Sequence, residues 1–128
     1  MVSLETTFLI DLLRNEPAAV ARARALDAQG EPRVVTPPAA VEILSGAHHI
    51  GGVPLTKARE LLRTLSLLPM DWESCEEAGR LAASLQAQGA TMGAIDLLIA
   101  AITKRHGHRL LTRDQGYARV PGLITETY

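Results

Sequence analysis

The stretch AIDLLIAAITKRHGHRLLTRD, residues 94–114, decides the fold. Its first half lies in the most hydrophobic helix the sequence predicts, Met92 to His106. There Ile95, Leu98, Ile99 and Ile102 recur at the 3.6-residue spacing of a buried stripe. Its second half, Arg109-Leu110-Leu111-Thr112, is a short apolar run of strand length, followed directly by Asp114. A helix feeding a strand that ends on an acid is a unit of an α/β sheet, where ligands sit outside the carboxyl ends of the strands. Inside the helix, Asp96 is flanked by Ile95 and by the apolar run Leu97 to Ile102. A carboxylate in such company needs a hydrogen-bond donor, a cation or a proton.

The same alternation extends upstream. Met1 to Leu4 reads as a strand, and Thr6 or Thr7 caps a helix carrying Phe8, Leu9, Ile10, Leu12 and Leu13. Pro17 opens a second helix that closes near Gly30. Arg33 to Thr36 is a second strand, and Pro37-Pro38 suits the first turn of a helix bearing Ala40, Val41, Ile43 and Leu44. Gly46 to Pro54 reads as a loop. An amphipathic helix follows with Leu55, Ala58, Leu61, Leu62 and Leu65 on one face. Leu67 to Met70 is an edge strand, because Pro69 cannot donate to a central ladder. Asp71 or Ser74 caps a helix to about Gln88, ended by Gly89, and Leu123 to Thr125 forms a last strand. The chain has no internal repeat, low-complexity tract or linker. Residues 1–128 therefore make one α/β domain, with helices covering both faces of a mainly parallel sheet of four to five strands.

Bulk properties narrow the function. With 47% hydrophobic and 21% charged residues the composition is globular, not disordered. The net charge of −1 gives no global positive field, so a nucleic-acid partner would be held by a local basic patch or through metal ions. A single cysteine, Cys75, builds no disulfide framework and fits a reducing cytoplasm. Glu73, Glu76 and Glu77 disfavour its thiolate, which argues against a catalytic thiol. No segment has the form of a secretory leader or is long enough to span a bilayer, so a cytoplasmic, membrane-free protein is expected.

Four acids fall at or near predicted strand ends: Glu5, Glu42, Asp96 and Asp114. Taken alone, each reads as an ordinary surface or helix-start acid. Together they repel one another unless cations neutralise them. An all-oxygen donor set suits Mg²⁺ or Mn²⁺ rather than Zn²⁺. Carboxylate-held metal can activate water and stabilise charge on a phosphodiester, with two ions about 3.5–4 Å apart if the site is binuclear.

The order of these motifs resembles the PIN-domain family, and within it the VapC-type toxins. Leu4-Glu5-Thr6-Thr7-Phe8-Leu9-Ile10-Asp11 is similar to the family's opening strand, acidic residue and Leu-Ile helix. Ala40-Val41-Glu42 matches its second-helix glutamate, and Asp96 to Ala101 its Asp-x-x-Ile-Ala-Ala helix. Leu110 to Asp114, with Tyr117 and Val120-Pro121-Gly122-Leu123, matches the closing Thr-x-Asp, aromatic and last strand. The resemblance covers essentially the whole chain and implies a PIN-like three-layer fold. It implies a metal-dependent endoribonuclease in which Glu5, Glu42, Asp96 and Asp114 ligate Mg²⁺ or Mn²⁺. Thr112 would orient the acids or a phosphate oxygen, and Thr6, Arg14 and Arg113 would meet the substrate. Implied partners are RNA (tRNA, rRNA or mRNA), a VapB-type antitoxin whose tail enters the acidic groove, and a second copy. The homodimer would use apolar helix faces between Pro17 and Leu68.

Two positions depart from the pattern. The first acid is normally Asp and here is Glu5, and many relatives carry a further Asp where this chain has Gly116. Glu5 keeps open an alternative, an attenuated PIN domain that binds RNA or a protein without efficient cleavage. Absence of a G-x-x-x-x-G-K-[ST] loop argues against an NTPase, and the paired acids of a receiver-like domain are not evident. Asp11, six residues beyond Glu5, is expected to face away from the site in a solvated or capping role. His48-His49 and the pair His106 and His108 lack closed zinc-site spacing, and Trp72 is expected to pack at a helix start.

Overall fold

A computed structural model describes residues 1–128. Strand β1 (Val2–Leu4) leads to helices α1 (Thr6–Leu13) and α2 (Pro17–Gln29), then β2 (Arg33–Val35), α3 (Pro37–Ile50) and α4 (Gly52–Arg63). There follow β3 (Ser66–Leu67), α5 (Trp72–Ala87), α6 (Ala94–Arg105), β4 (Arg109–Leu111), a 3₁₀ turn at Gln115–Arg119, and β5 (Thr125–Glu126). The five strands form one sheet in the order β3-β2-β1-β4-β5, every neighbouring pair parallel. Helices cover both faces, as parallel crossovers require.

The core shows why these segments pair. Val2, Leu4, Val35, Leu110 and Leu111 from the strands pack with Phe8, Leu9, Ile99, Ala100 and Tyr117, all at most 2% exposed. Burial of each large side chain contributes about 1.5–3 kcal/mol. Strands this short are stabilised by that packing and not by their own propensity.

The chain order places a site at the middle of the sheet. From β1 the chain crosses to β2 and β3 on one side, while β4 and β5 lie on the other. β1 and β4 are thus the central pair at a topological switch point, where such sheets bind ligands. Their last register pair is Leu4 with Leu111. Glu5 and Thr112 therefore leave the ladder side by side.

Several expectations are corrected. Residues 46–54 are not a loop: α3 continues to Ile50 and α4 begins at Gly52. Burial of Ile43 and Ala47 carries the helix through Gly46, and the break is confined to Gly51, whose φ of 76° suits glycine. Pro54 sits in the first turn of α4, where proline is tolerated. The cap of α1 is Glu5, not Thr6 or Thr7, its side chain accepting the Thr7 N–H at 2.8 Å. The edge strand is Ser66–Leu67, ending before Pro69, and the last strand begins two residues and ends one residue later than expected. Ile95 is at the exposed side of α6, the buried set there being Ile99, Ala100, Ala101, Ile102 and Thr103. Trp72 does not pack: it is 76% exposed at the first residue of α5.

Candidate active site

Glu5 is a carboxylate 2% exposed to solvent, and the protein surrounds it with donors. Its Oε2 accepts from the Thr7 backbone N–H at 2.8 Å, the Thr7 hydroxyl at 2.5 Å and the Thr112 hydroxyl at 2.9 Å. Each threonine has one hydroxyl proton, and both are committed to Glu5. The two hydroxyl oxygens in turn accept from the next backbone: Arg113 N–H at 3.2 Å to Thr7, and Asp114 N–H at 2.9 Å to Thr112. The end of β1 and the residues after β4 are thereby stitched together around one carboxylate. The other oxygen, Oε1, faces the Tyr117 hydroxyl at 3.4 Å, and that hydroxyl lies 3.0 Å from Asp96 Oδ1.

The remaining acids come from three further elements. Asp96 is in the first turn of α6, near the positive end of that helix. Glu42, half-buried on α3, accepts from the Thr6 hydroxyl at 2.6 Å. Asp114 is exposed and caps the 3₁₀ turn, accepting the Gly116 N–H at 2.9 Å. The structure thus links Glu5, Thr112, Tyr117 and Asp96 directly, with Asp114 joined through its backbone and its charge felt at both Glu5 and Tyr117. Glu42 enters through Thr6, the neighbour of Glu5.

None of these four acids takes part in any of the chain's ion pairs. Asp11 is the contrast, and a correction. It is 5% exposed, not solvated, and accepts from Arg113 Nε at 2.7 Å and the Tyr128 hydroxyl at 2.5 Å. The Arg113 guanidinium holds the Asp11 carboxyl below its ordinary range. Arg113 is therefore engaged by Asp11 and fastens the loop between Thr112 and Asp114. Arg14 has no ion-pair partner and lines a largely apolar groove of about 430 Å³ between α1, α3 and α4, with Glu42, Ile43, Ile50, Val53 and Lys57.

The donor set is hard oxygen, its charge is uncompensated, and Glu5 is desolvated; these properties fit a divalent cation of the Mg²⁺ class. The carboxylates are not gathered into a closed cage, since no three acidic, histidine or cysteine side chains surround one point in ligating array. The histidines do not contribute: His48 and His49 end α3, exposed, and His106 contacts the Pro69 carbonyl at 3.0 Å.

Burial pushes the Glu5 carboxyl up from 4.5, against the lowering hydrogen bonds of Thr7 and Thr112, and the Asp114 charge adds to the rise. A raised folded value means that Glu5 stabilises the fold most when protonated. That contribution is complete below pH 4.5 and is lost as pH rises through the raised value. Asp11 runs the other way, its contribution present above 3.8 and lost as pH falls through its lowered value. In chelator, urea midpoints of the wild type should rise as pH is lowered from neutral towards 4.5. Glu5→Gln should remove that slope and leave the acid limb below 3.8 intact. Identical pH profiles for the two proteins would show that Glu5 carries no such strain.

A parallel five-stranded sheet with helices on both faces defines a class, the three-layer α/β domains. The chain belongs to the PIN domain family, whose model matches residues 2–123. None of the curated protein sequences is a significant match. Among solved structures it resembles the Rickettsia felis VapBC2 complex bound to a promoter DNA fragment, at 19% identity and a TM-score of 0.86, covering 100% of this chain and 99% of that one. It is similar to DNA-bound VapBC from Salmonella typhimurium (21% identity, TM-score 0.85, 98% and 96% covered). It is likewise similar to VapBC-1 from nontypeable Haemophilus influenzae (21%, 0.84, 99% and 98%). At such identities the likeness is one of fold. No helix of the chain is long and apolar enough to cross a membrane.

The hydrogen bonds join Glu5, Thr112 and Asp96, which the sequence names as candidates, to Thr7 as a second threonine on Glu5 and to the hydroxyl of Tyr117, which it does not. A Thr-Thr pair after the first acid was the available signal for the former.

Proposed function

We propose that this protein is a metal-dependent endoribonuclease that hydrolyses RNA phosphodiester bonds, the toxin of a VapBC-type toxin–antitoxin pair. One observation carries the reading: Glu5 and Asp96 share the Tyr117 hydroxyl beyond the central strands, the Asp114 charge is felt at both Glu5 and Tyr117, and neither these three acids nor Glu42 has a cationic partner. Asp96, Asp114 and Glu5 would hold Mg²⁺ or Mn²⁺, with Glu42 contributing directly or through water. When bound, such an ion supplies an activated water and neutralises charge developing on the phosphodiester. Thr112 and Thr7 keep Glu5 oriented and tie the Asp114 backbone to it. Arg14, which has no ion-pair partner and lines the same groove as Glu42, would take an RNA phosphate, and Arg113 would act by fastening the 112–114 loop to Asp11.

The partner in this reading is a VapB-type antitoxin. The groove beside Glu42, with exposed Ile50 and Val53 on its wall, offers apolar seating for an antitoxin segment next to the acids. A second copy of the chain completes a homodimer in the cytoplasm. The decisive experiment incubates purified, antitoxin-free protein with a pool of tRNA and structured RNA, in Mg²⁺, in Mn²⁺ and in chelator. Cleavage that requires metal is expected. Intact RNA with well-folded protein in both metals would transfer the reading to the attenuated domain. That second reading draws on the inward turn of Glu5, whose Oε2 already accepts three hydrogen bonds.

A further inference from the structure

Tyr117 is fully buried, and its ring belongs to the main core. A phenylalanine would fill that volume equally well, so the hydroxyl calls for its own account. That hydroxyl stands between two carboxylates, 3.0 Å from Asp96 Oδ1 and 3.4 Å from Glu5 Oε1. A phenol has one proton, and ionised carboxylates have none to return. A single proton is thus shared by two acceptors of like charge. The oxygens concerned are telling. Glu5 Oε2 is filled by Thr7 and Thr112, whereas Oε1 meets Tyr117 alone among the protein's donors. Asp96 Oδ1 likewise has only Tyr117 as a side-chain donor. On Glu5 the one oxygen the threonines leave open to a cation is the one the phenol meets, and on Asp96 the phenol takes Oδ1 and leaves Oδ2 without a protein donor.

Resting on the reading of these acids as a metal site, we infer that the Tyr117 hydroxyl is a placeholder: it bridges Glu5 and Asp96 while no cation is bound and competes with Mg²⁺ or Mn²⁺ for the same two oxygens. It is a positioning residue that lowers metal affinity while keeping the cation-free acid cluster folded.

The test titrates Mn²⁺ calorimetrically into the chelator-stripped full chain as wild type, Tyr117→Phe and Asp96→Asn, with melting points recorded with and without Mn²⁺. Tyr117→Phe should melt lower without metal and bind Mn²⁺ roughly tenfold tighter, the scale of one hydrogen bond to a charged group. Equal or weaker affinity in folded Tyr117→Phe overturns the placeholder, since a hydroxyl that serves the fold alone would lower the melting point when removed and leave affinity unchanged. Wild-type binding that Asp96→Asn abolishes secures the metal site separately, so the two ideas can fail apart. No binding in any variant sinks both. Should Tyr117→Phe not fold, Tyr128→Phe leaves Tyr117 the sole tyrosine. Its near-ultraviolet band should then move to shorter wavelength on adding Mg²⁺, and an unmoved band in protein that binds the ion overturns the inference.

Discussion

Asp96→Asn is expected to lower metal-supported RNA cleavage by about three orders of magnitude while the protein stays folded. The fold is spared because asparagine keeps an Oδ1 that can accept the Tyr117 proton, and because Asp96 is only half-buried in the first turn of α6. What is lost is one negative charge and one hard anionic donor. Stabilisation by a bound metal is worth several kcal/mol in a phosphodiester transition state, and each 1.4 kcal/mol is tenfold in rate, which sets the magnitude. Single-turnover cleavage of the RNA pool with Mg²⁺ or Mn²⁺, beside a melting curve, measures both halves. Undiminished cleavage by Asp96→Asn would remove this residue from the site and with it the reason for placing chemistry at the start of α6.

The contrast between Glu5 and Asp11 shows how the same side-chain chemistry serves two ends. Both are buried carboxylates on α1 or at its cap, six residues apart. Asp11 has a guanidinium and is held ionised, so it behaves as a finished structural contact. Glu5 has only neutral donors, and burial pushes it towards its proton. Under the proposed function, Glu5 is left without a compensating charge for a cation to supply, whereas Asp11 has that charge from Arg113.

That difference was only partly legible in the sequence. Leu and Ile periodicity gave α6 and β4, and the acids could be placed at strand ends because a strand's end is visible as the end of an apolar run. Boundaries that depend on long-range packing were not legible. Gly46 and Pro54 read as breakers, yet buried Ile43 and Ala47 carry α3 through the first and a helix first turn accommodates the second. Asp11 was read by its distance along α1, whereas its partner Arg113 arrives from beyond β4. Glutamate ranks behind Ser, Thr, Asp and Asn as a helix cap, which hid the cap role of Glu5. Trp72 is apolar and opens a helix, but no neighbouring element comes close enough to cover it. The hydroxyl of Tyr117 acquires meaning only when the 3₁₀ turn sets it between Asp96 of α6 and Glu5 at the cap of α1.

Thr112→Val should cost the fold about 2–4 kcal/mol and cleavage about a hundredfold. Valine keeps the branched shape of a side chain that is 3% exposed, so packing survives and the hydroxyl alone is removed. Two groups then lose a partner: Glu5 Oε2, which the hydroxyl donates to at 2.9 Å, and the Asp114 N–H, which it accepts at 2.9 Å. Glu5 Oε2 keeps its two donors from Thr7, so each loss is that of one hydrogen bond, about 1.5–3 kcal/mol at the carboxylate and about 0.5–1.5 at the neutral N–H, which gives the stability range. The loss of rate has a separate origin. Without the hydroxyl, Asp114 is no longer tied to Glu5, and misplacement by about 1 Å in a catalytic array can cost two orders of magnitude. Thr112→Ser restores the hydroxyl and should recover most of both. Urea unfolding in chelator and single-turnover cleavage at saturating Mg²⁺ separate the two effects. A Val variant that loses stability yet cleaves at the wild-type rate would make Thr112 a stitch between β1 and β4 and nothing more, and would leave Asp114 positioned by its own turn through Gly116.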